Sequence, residues 1–393
     1  MLRKSAAVAL GFVCAAIVFE LALRAMAASP WWRVLPAVQA QFDGPDVETG
    51  YGHRPGVEGL WLRENRAMVR INAQGLRDRP RTPVPAPGVL RIAVAGDSIT
   101  EALQVEEASL FTLRAEKQLQ ARGISAEVLN FGLSGALPLQ QLLFVKDRGL
   151  PMQIDAAVFI FNAADFLNPL MRSDGILPAY VENRNGELEI GRGYRERRSH
   201  RLAERWIGRA FFWGVDHSLV LNALYTRVKM GLLPPMSAAA QPAVATDPCG
   251  QTDTALATQE QLWRNGEPSW SGRRLERFLA DVRELLQGRP VVFVLHGFGN
   301  PQGRCAVDLE RRGRLVELVR ARLESAGVRF VDLSQKISQK LKDPSDFQKM
   351  SGFGVHVGGG HLNDFGHQIY ADVLTDAIAA HAADLKAAAR AAR

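Results

Sequence analysis

The chain predicts an α/β fold, a mainly parallel five-stranded sheet with helices on both faces, in three layers. Three observations predict it. Apolar runs of strand length fall at 89–95, 125–130, 155–161, 290–296 and 328–332. Helical stretches stand between them, among them 272–287 and 308–325, where Leu309, Val316, Val319 and Leu323 share one face. The chain is 393 residues long and 47% apolar, enough for one large core. Strands that alternate with helices in this way pair in parallel and are covered on both sides. Ligands of such sheets sit at the carboxyl ends of the strands, at a topological switch point.

The chain opens with Arg3 and Lys4 ahead of an apolar stretch from Ser5 to Leu23, just long enough to span a bilayer. Basic residues before it place the N-terminus in the cytoplasm and the rest outside. Ala25-Met26-Ala27 also fits a small-x-small cleavage site. Residues 1–30 are thus expected to form a membrane anchor or a signal peptide, and either exports the remainder of the chain. Residues 31–88 form an extension without strong periodicity, ending in the proline-rich stretch 79–88, which reads as an extended linker. The main domain is expected over 89–385, with a tail at 386–393. It carries an insertion at 166–271 with helices at 198–214 and 217–231, and a flexible stretch at 234–259 rich in small and polar residues. The first insertion helix sets Trp206, Phe211, Phe212 and Trp213 among Arg201, Arg205 and Arg209. Such a helix packs its aromatics on the core, or else lies on a membrane or against sugar rings.

The net charge of +7 is mild for this length, with arginines scattered among acids and no nucleic-acid motif. A nucleic-acid-binding function is therefore not expected. There are three cysteines. Cys14 lies in the apolar N-terminal stretch; Cys249 and Cys305 remain as a pair that either joins in an oxidising compartment or stays as two thiols. No spacing suggests a zinc site. His356, His361 and His367 lack a supporting carboxylate pattern, so neither metal nor cofactor is expected.

The chemistry begins at Gly96-Asp97-Ser98-Ile99-Thr100, directly after the first strand run, with a helix expected from Glu101 to Ala121. A serine at a strand-to-helix turn projects its hydroxyl from the sheet edge, although Asp and Ser also favour ordinary turns. A serine needs a base to take its proton. His361 stands before the C-terminal helix, on a loop that the topology can bring to the same edge. His367 is expected to pack inside that helix, while His356 and His296 are weaker candidates for the base.

The blocks Gly96–Thr100, Asn130-Phe131-Gly132-Leu133-Ser134-Gly135 and His361-Leu362-Asn363-Asp364-Phe365-Gly366-His367 resemble, in that order, those of the SGNH/GDSL hydrolase superfamily. The resemblance covers 89–170 and 270–385. Gly50–Gly56 and Asn72–Asp78 are similar to membrane-anchored bacterial members. It implies a flavodoxin-like three-layer α/β/α sandwich, with Ser98 as nucleophile, His361 as base, and the backbone N–H groups of Ser98 and Gly135 as oxyanion hole. Gly132 is the alternative for the second donor; Asp97 and Asp165 would support the site. It further implies an enzyme of the bacterial inner membrane, single-pass, with its catalytic domain in the periplasm. The expected substrate is an acylated, chiefly acetylated, glycan. Partner proteins would belong to an envelope polysaccharide system. The alternatives are a degenerate binding or scaffold protein for glycan on the same fold, and a lipase acting on lipid esters.

Two departures from the family pattern stand out. The third block's Asn, an oxyanion donor, aligns with Ala164 when Asp165 takes the Asp position, so Asn162 is the side chain left to serve. The superfamily's acid, two or three residues before its histidine, aligns with Gly359 and Gly358. Asp364 and Asp332 are the candidates to orient His361 instead. Without such an acid a serine triad can lose about 10⁴-fold in turnover.

Overall fold

The computed structural model describes residues 2–27, 41–61, 63–161, 177–232, 270–295, 306–343, 346–354 and 356–392. An N-terminal helix, Leu2–Ala27, precedes two small antiparallel hairpins. The first pairs β1 (Asp43–Asp46) with β2 (Gly50–His53), and the second pairs β3 (Glu58–Trp61) with β4 (Ala67–Arg70). The main sheet follows with β5 (Leu90–Gly96), β6 (Ala126–Gly132) and β7 (Ala156–Phe161). A third hairpin, β8 (Ala179–Glu182) with β9 (Leu188–Gly191), belongs to the insertion. The sheet is completed by β10 (Val291–Leu295) and β11 (Arg329–Asp332). A last antiparallel pair, β12 (Ser351–Phe353) with β13 (His356–Leu362), leads into the C-terminal helix Asp364–Ala392.

The five main strands are parallel and ordered β6-β5-β7-β10-β11. In chain order this is 2-1-3-4-5, the flavodoxin-like arrangement, with its switch point between β5 and β7. Strand periodicity explains the three layers. Ala93, Ala95, Phe131, Phe159 and Phe293 face a core covered by helices Pro138–Phe144, Trp270–Leu285 and Ala306–Ser325. Ile92, Val94, Val128, Val158 and Val292 face the other core, under Phe111–Ala121 and Asp364–Ala392. Each strand thus buries alternate residues on opposite faces.

Several expectations are corrected. The helix expected over 101–121 is broken. It forms as Ser98–Glu101, a turn with Ala102 in the left-handed region (φ 57°), and Phe111–Ala121. The insertion helices 198–214 and 217–231 occur as Arg198–Glu204, Trp206–His217 and Leu219–Leu232. No helix among the described residues is long and apolar enough to cross a membrane. The N-terminal helix is tied to the rest of the protein near its C-terminal end. Glu20 accepts hydrogen bonds from Ser218 Oγ (2.9 Å) and the N–H groups of Leu219 (3.1 Å) and Val220 (3.1 Å), satisfying the start of helix Leu219–Leu232. The expected helix aromatics do not all pack inward: Trp206 is 73% and Trp213 63% exposed.

The extension is not a free linker. Arg81 is buried between Asp78 (3.0 Å) and Glu116 (2.7 Å). These three side chains serve the outer edge of β6. Arg81 donates to Val128 O (3.1 Å), Glu116 accepts from Val128 N (2.8 Å), and Asp78 accepts from Asn130 N (3.3 Å). They satisfy backbone groups that an edge strand otherwise exposes. Buried Arg91 gathers the carbonyls of Thr82 (2.9 Å), Pro83 (3.0 Å) and Met152 (2.6 Å), fixing the proline-rich stretch to the sheet.

Candidate active site

Ser98 leaves the carboxyl end of β5, beside the switch point, as the first residue of its short helix. Asp97 caps that helix, its carboxylate accepting from Ile99 N at 2.9 Å. Ser98 is half-buried. Two glycines let the helix sit this low. A Cβ on Gly96 would lie 2.1 Å from Thr100 Oγ1, and one on Gly132 would lie 2.0 Å from the Glu101 backbone nitrogen. Gly132 therefore serves close packing, and its own N–H donates to Asn130 Oδ1 at 2.8 Å. The N–H groups of Ser98 and Gly135 have no hydrogen-bond partner among the described residues. Gly135 is exposed, with φ +72°.

The loop around Gly135 is braced from the extension. Tyr51 donates its hydroxyl to Ser134 O, and Ser134 Oγ donates to Glu101 Oε2. The other oxygen of buried Glu101 meets His53 Nε2 at 2.5 Å, while His53 Nδ1 lies 3.2 Å from Gly75 O. Burial disfavours a charged His53, but the hydrogen bond and charge of Glu101 outweigh it and hold the proton above the ordinary histidine range. Asp43, His53 and Glu101 bring ligand atoms within 4.8 Å of one another. Glu101's oxygens are already engaged by His53 and Ser134, so the trio reads as a brace rather than an open metal site.

His361 ends up on β13, which packs on the Ser98 helix. Its Nδ1 lies 2.7 Å from Glu64 Oε1, and its backbone N–H donates to Glu64 Oε2 at 3.2 Å. Glu64 stands in the turn between β3 and β4. Sequence reasoning misses it, because the two residues lie 297 positions apart. A left-handed backbone (φ 46°) is the structural sign, and no local pattern announces it.

Neither expected acid orients His361. Asp364 accepts from Ser109 Oγ and Arg114 Nη2, each at 2.5 Å. The Ser109 hydrogen bond, joined by the charge and hydrogen bond of Arg114, holds its carboxyl below the ordinary range against the opposing cost of burial. Asp332 caps helix Leu333–Lys340, accepting from Gln335 N at 3.1 Å. It ends β11, three strand spacings, roughly 14 Å, from β5. There it lines a cavity of about 500 Å³ with Phe330, Lys336 and His381, away from Ser98. His367 is fully buried, stacked on Phe111 (5.7 Å between ring centres), as expected for a packing residue. Asn162, Asp165, His296, Cys249 and Cys305 lie outside the described residues, as does the side chain of His356.

No protein-family model matches the chain, and no curated protein matches it in sequence. Among solved structures it is similar to a lipase/acylhydrolase from Enterococcus faecalis, with 12% identity, 74% of this chain and 96% of that one covered, and a TM-score of 0.36. It is similar also to a putative GDSL-like lipase from Parabacteroides merdae (14%, 75% and 99% covered, TM-score 0.34). A third is an acetyl xylan esterase (12%, 73% and 99% covered, TM-score 0.36). Likeness at this level carries no weight for substrate or mechanism. In the order of its motifs, the strand order of its sheet and the placing of Ser98 on β5 and His361 ahead of the last helix, the chain resembles the SGNH/GDSL hydrolases.

Proposed function

We propose that the protein is a serine esterase or O-acyltransferase acting through an acyl-enzyme on Ser98. One observation carries the reading. Ser98 emerges at the switch point of the sheet under a histidine strand, and the N–H groups of Ser98 and Gly135 are left unpaired among the described residues. His361 engages a carboxylate through Nδ1, which leaves Nε2 to take the Ser98 proton. Ser98 Oγ then attacks the ester carbonyl carbon. The two N–H groups receive the oxyanion, and the leaving alcohol departs with the proton held by His361. Water or an acceptor hydroxyl, deprotonated by the same imidazole, then attacks the acyl carbon, and Ser98 Oγ leaves with the proton that His361 returns to it. Small acyl groups, acetyl above all, on an envelope or secreted glycan are the substrate class we assign, by family resemblance and expected export.

We place the protein at the membrane surface. Leu10, Ile17, Val18, Phe19 and Leu21 stand exposed on the N-terminal helix. That helix packs on Leu219–Leu232, where Leu221, Leu224 and Val228 are exposed too. The full chain should float with vesicles containing anionic lipid, and deletion of residues 2–27 should release it; equal flotation of both forms would remove this assignment.

The chemical reading is tested by fluorophosphonate labelling of the full chain with Ser98→Ala and His361→Ala beside wild type. Label confined to the peptide with Ser98, lost in Ser98→Ala and at least about 100-fold slower in His361→Ala, is expected. An unlabelled Ser98 in folded protein would instead favour a glycan-binding role on the same fold.

A further inference from the structure

We infer that Glu64, from the N-terminal extension, is the positioning carboxylate of His361 and completes a Ser98–His361–Glu64 triad. The inference rests on the reading of the protein as a serine esterase. Glu64 meets His361 twice, at Nδ1 (2.7 Å) and at the backbone N–H (3.2 Å). The second contact fixes the carboxylate to the strand that carries the imidazole, so the ring is oriented as well as paired. An Nδ1–H donated to Glu64 selects the tautomer whose Nε2 lone pair is open to the serine proton.

The surroundings are shaped for this contact. The places where related enzymes carry their acid are Gly358 and Gly359, and the next residue is glycine as well. A Cβ on Gly360 would lie 3.0 Å from Glu64 Oε2, and Gly360 has φ +78°. The glycine run removes the local acid and clears the approach of a distant one. Glu64 is held in a left-handed backbone (φ 46°), a conformation that non-glycine residues seldom adopt. Its turn is tied down on both sides. Asn65 Nδ2 donates to Gln104 O (2.9 Å), just beyond the Ser98 helix, and Met68 N donates to Glu106 Oε1 (3.0 Å). The extension thus binds the segment after the nucleophile and delivers the carboxylate to the base. The other acid beside His361 in sequence, Asp364, is committed to Arg114 and Ser109. His367 is buried against Phe111, and Glu64 is the hydrogen-bond partner of the His361 imidazole among the described residues.

The test uses Glu64→Gln and Glu64→Asp in the full chain, with Ser98→Ala as the inactive reference. Hydrolysis of p-nitrophenyl acetate is followed, and the Nδ1–H resonance of the His361 ring is read by NMR. Glu64→Gln should lower kcat on the order of 100- to 10,000-fold while KM changes little, because a neutral amide no longer stabilises the imidazolium. The low-field Nδ1–H resonance of His361 should move upfield in Glu64→Gln, because a neutral amide accepts a weaker hydrogen bond than a carboxylate. Glu64→Asp keeps the charge on a shorter arm and should recover part of the loss. Wild-type kcat and an unmoved His361 Nδ1–H resonance in Glu64→Gln, with Ser98→Ala inactive, overturn the inference and leave the esterase reading intact. A shifted His361 Nδ1–H resonance in a protein whose Ser98 neither labels nor turns over supports the pairing and removes the esterase reading instead.

Discussion

At the scale of single residues, the site depends on side chains that are absent as much as on those present. Gly132 is the sharpest case. The carboxyl end of β6 passes so close under the Ser98 helix that a methyl group there would meet the backbone of Glu101 at 2.0 Å and of Thr100 at 2.4 Å. Neither contact is with a flexible side-chain end, so the helix itself must move. A displacement of about 1 Å at a nucleophile is enough to cost roughly 100-fold in rate. Gly132→Ala should therefore slow fluorophosphonate labelling of Ser98 by about that factor even where the protein still folds. Labelling at the wild-type rate in a folded Gly132→Ala protein would mean that the helix is not held by this contact. The same scale separates what sequence could and could not show. Ser98, Gly135 and His361 stand in local motifs whose spacing carries chemistry. Glu64 belongs to no motif, since its role arises only when a turn near the N-terminus closes on a strand 297 positions away.

At the scale of elements, four of the five sheet strands were legible because each buries both faces, whereas the edge strand β11 is only partly buried. A strand covered on both sides reads as an unbroken apolar run, and turn residues bound it. The parallel order followed from the intervening helices. The extension was opaque for the opposite reason. Its hairpins are four residues a strand, and its cohesion comes from charges rather than periodicity. Asp78, Arg81 and Glu116 bond one another and the edge of β6, and nothing in their spacing shows that they meet. The break after Glu101 was hidden too, because alanine in a left-handed conformation sits in a stretch of good helix formers. The acids proposed for His361 failed at this scale. Asp364 and Asp332 each start a helix or bond its neighbours, the ordinary work of an aspartate at a helix N-terminus. The extension is thus built into the same domain as Ser98 and His361. It braces the Gly135 loop through Tyr51 and His53 and meets His361 through Glu64.

At the scale of the whole molecule, the C-terminal helix couples folding to pH through His367. Its ring is 0% exposed and stacks on Phe111, and its Nδ1 accepts the Phe111 N–H at 3.3 Å. A ring nitrogen that accepts must be unprotonated, so the fold selects the neutral form. Burial first, and the positive charge of Arg114 second, push its pKa down to about 3. An unfolded histidine binds its proton near pH 6.5, so between about pH 6.5 and 3 the unfolded chain holds a proton that the native state refuses. The contribution is therefore complete above about pH 6.5 and is lost as pH falls, by about 1.4 kcal/mol for each unit. His53 works in the opposite sense, since its raised pKa gives stability that is complete below about pH 6.5 and fades as pH rises through its folded value. The two act in different windows, so the acid side isolates His367. Urea unfolding at pH 6.5 and 4.5 should show wild type losing roughly 2–3 kcal/mol more than His367→Gln over that interval. The carboxylates titrate alike in both proteins and cancel in the difference. Parallel losses in the two proteins would show that the buried ring keeps access to a proton, and that the packing of the last helix on Phe111 does not set the acid limit of the fold.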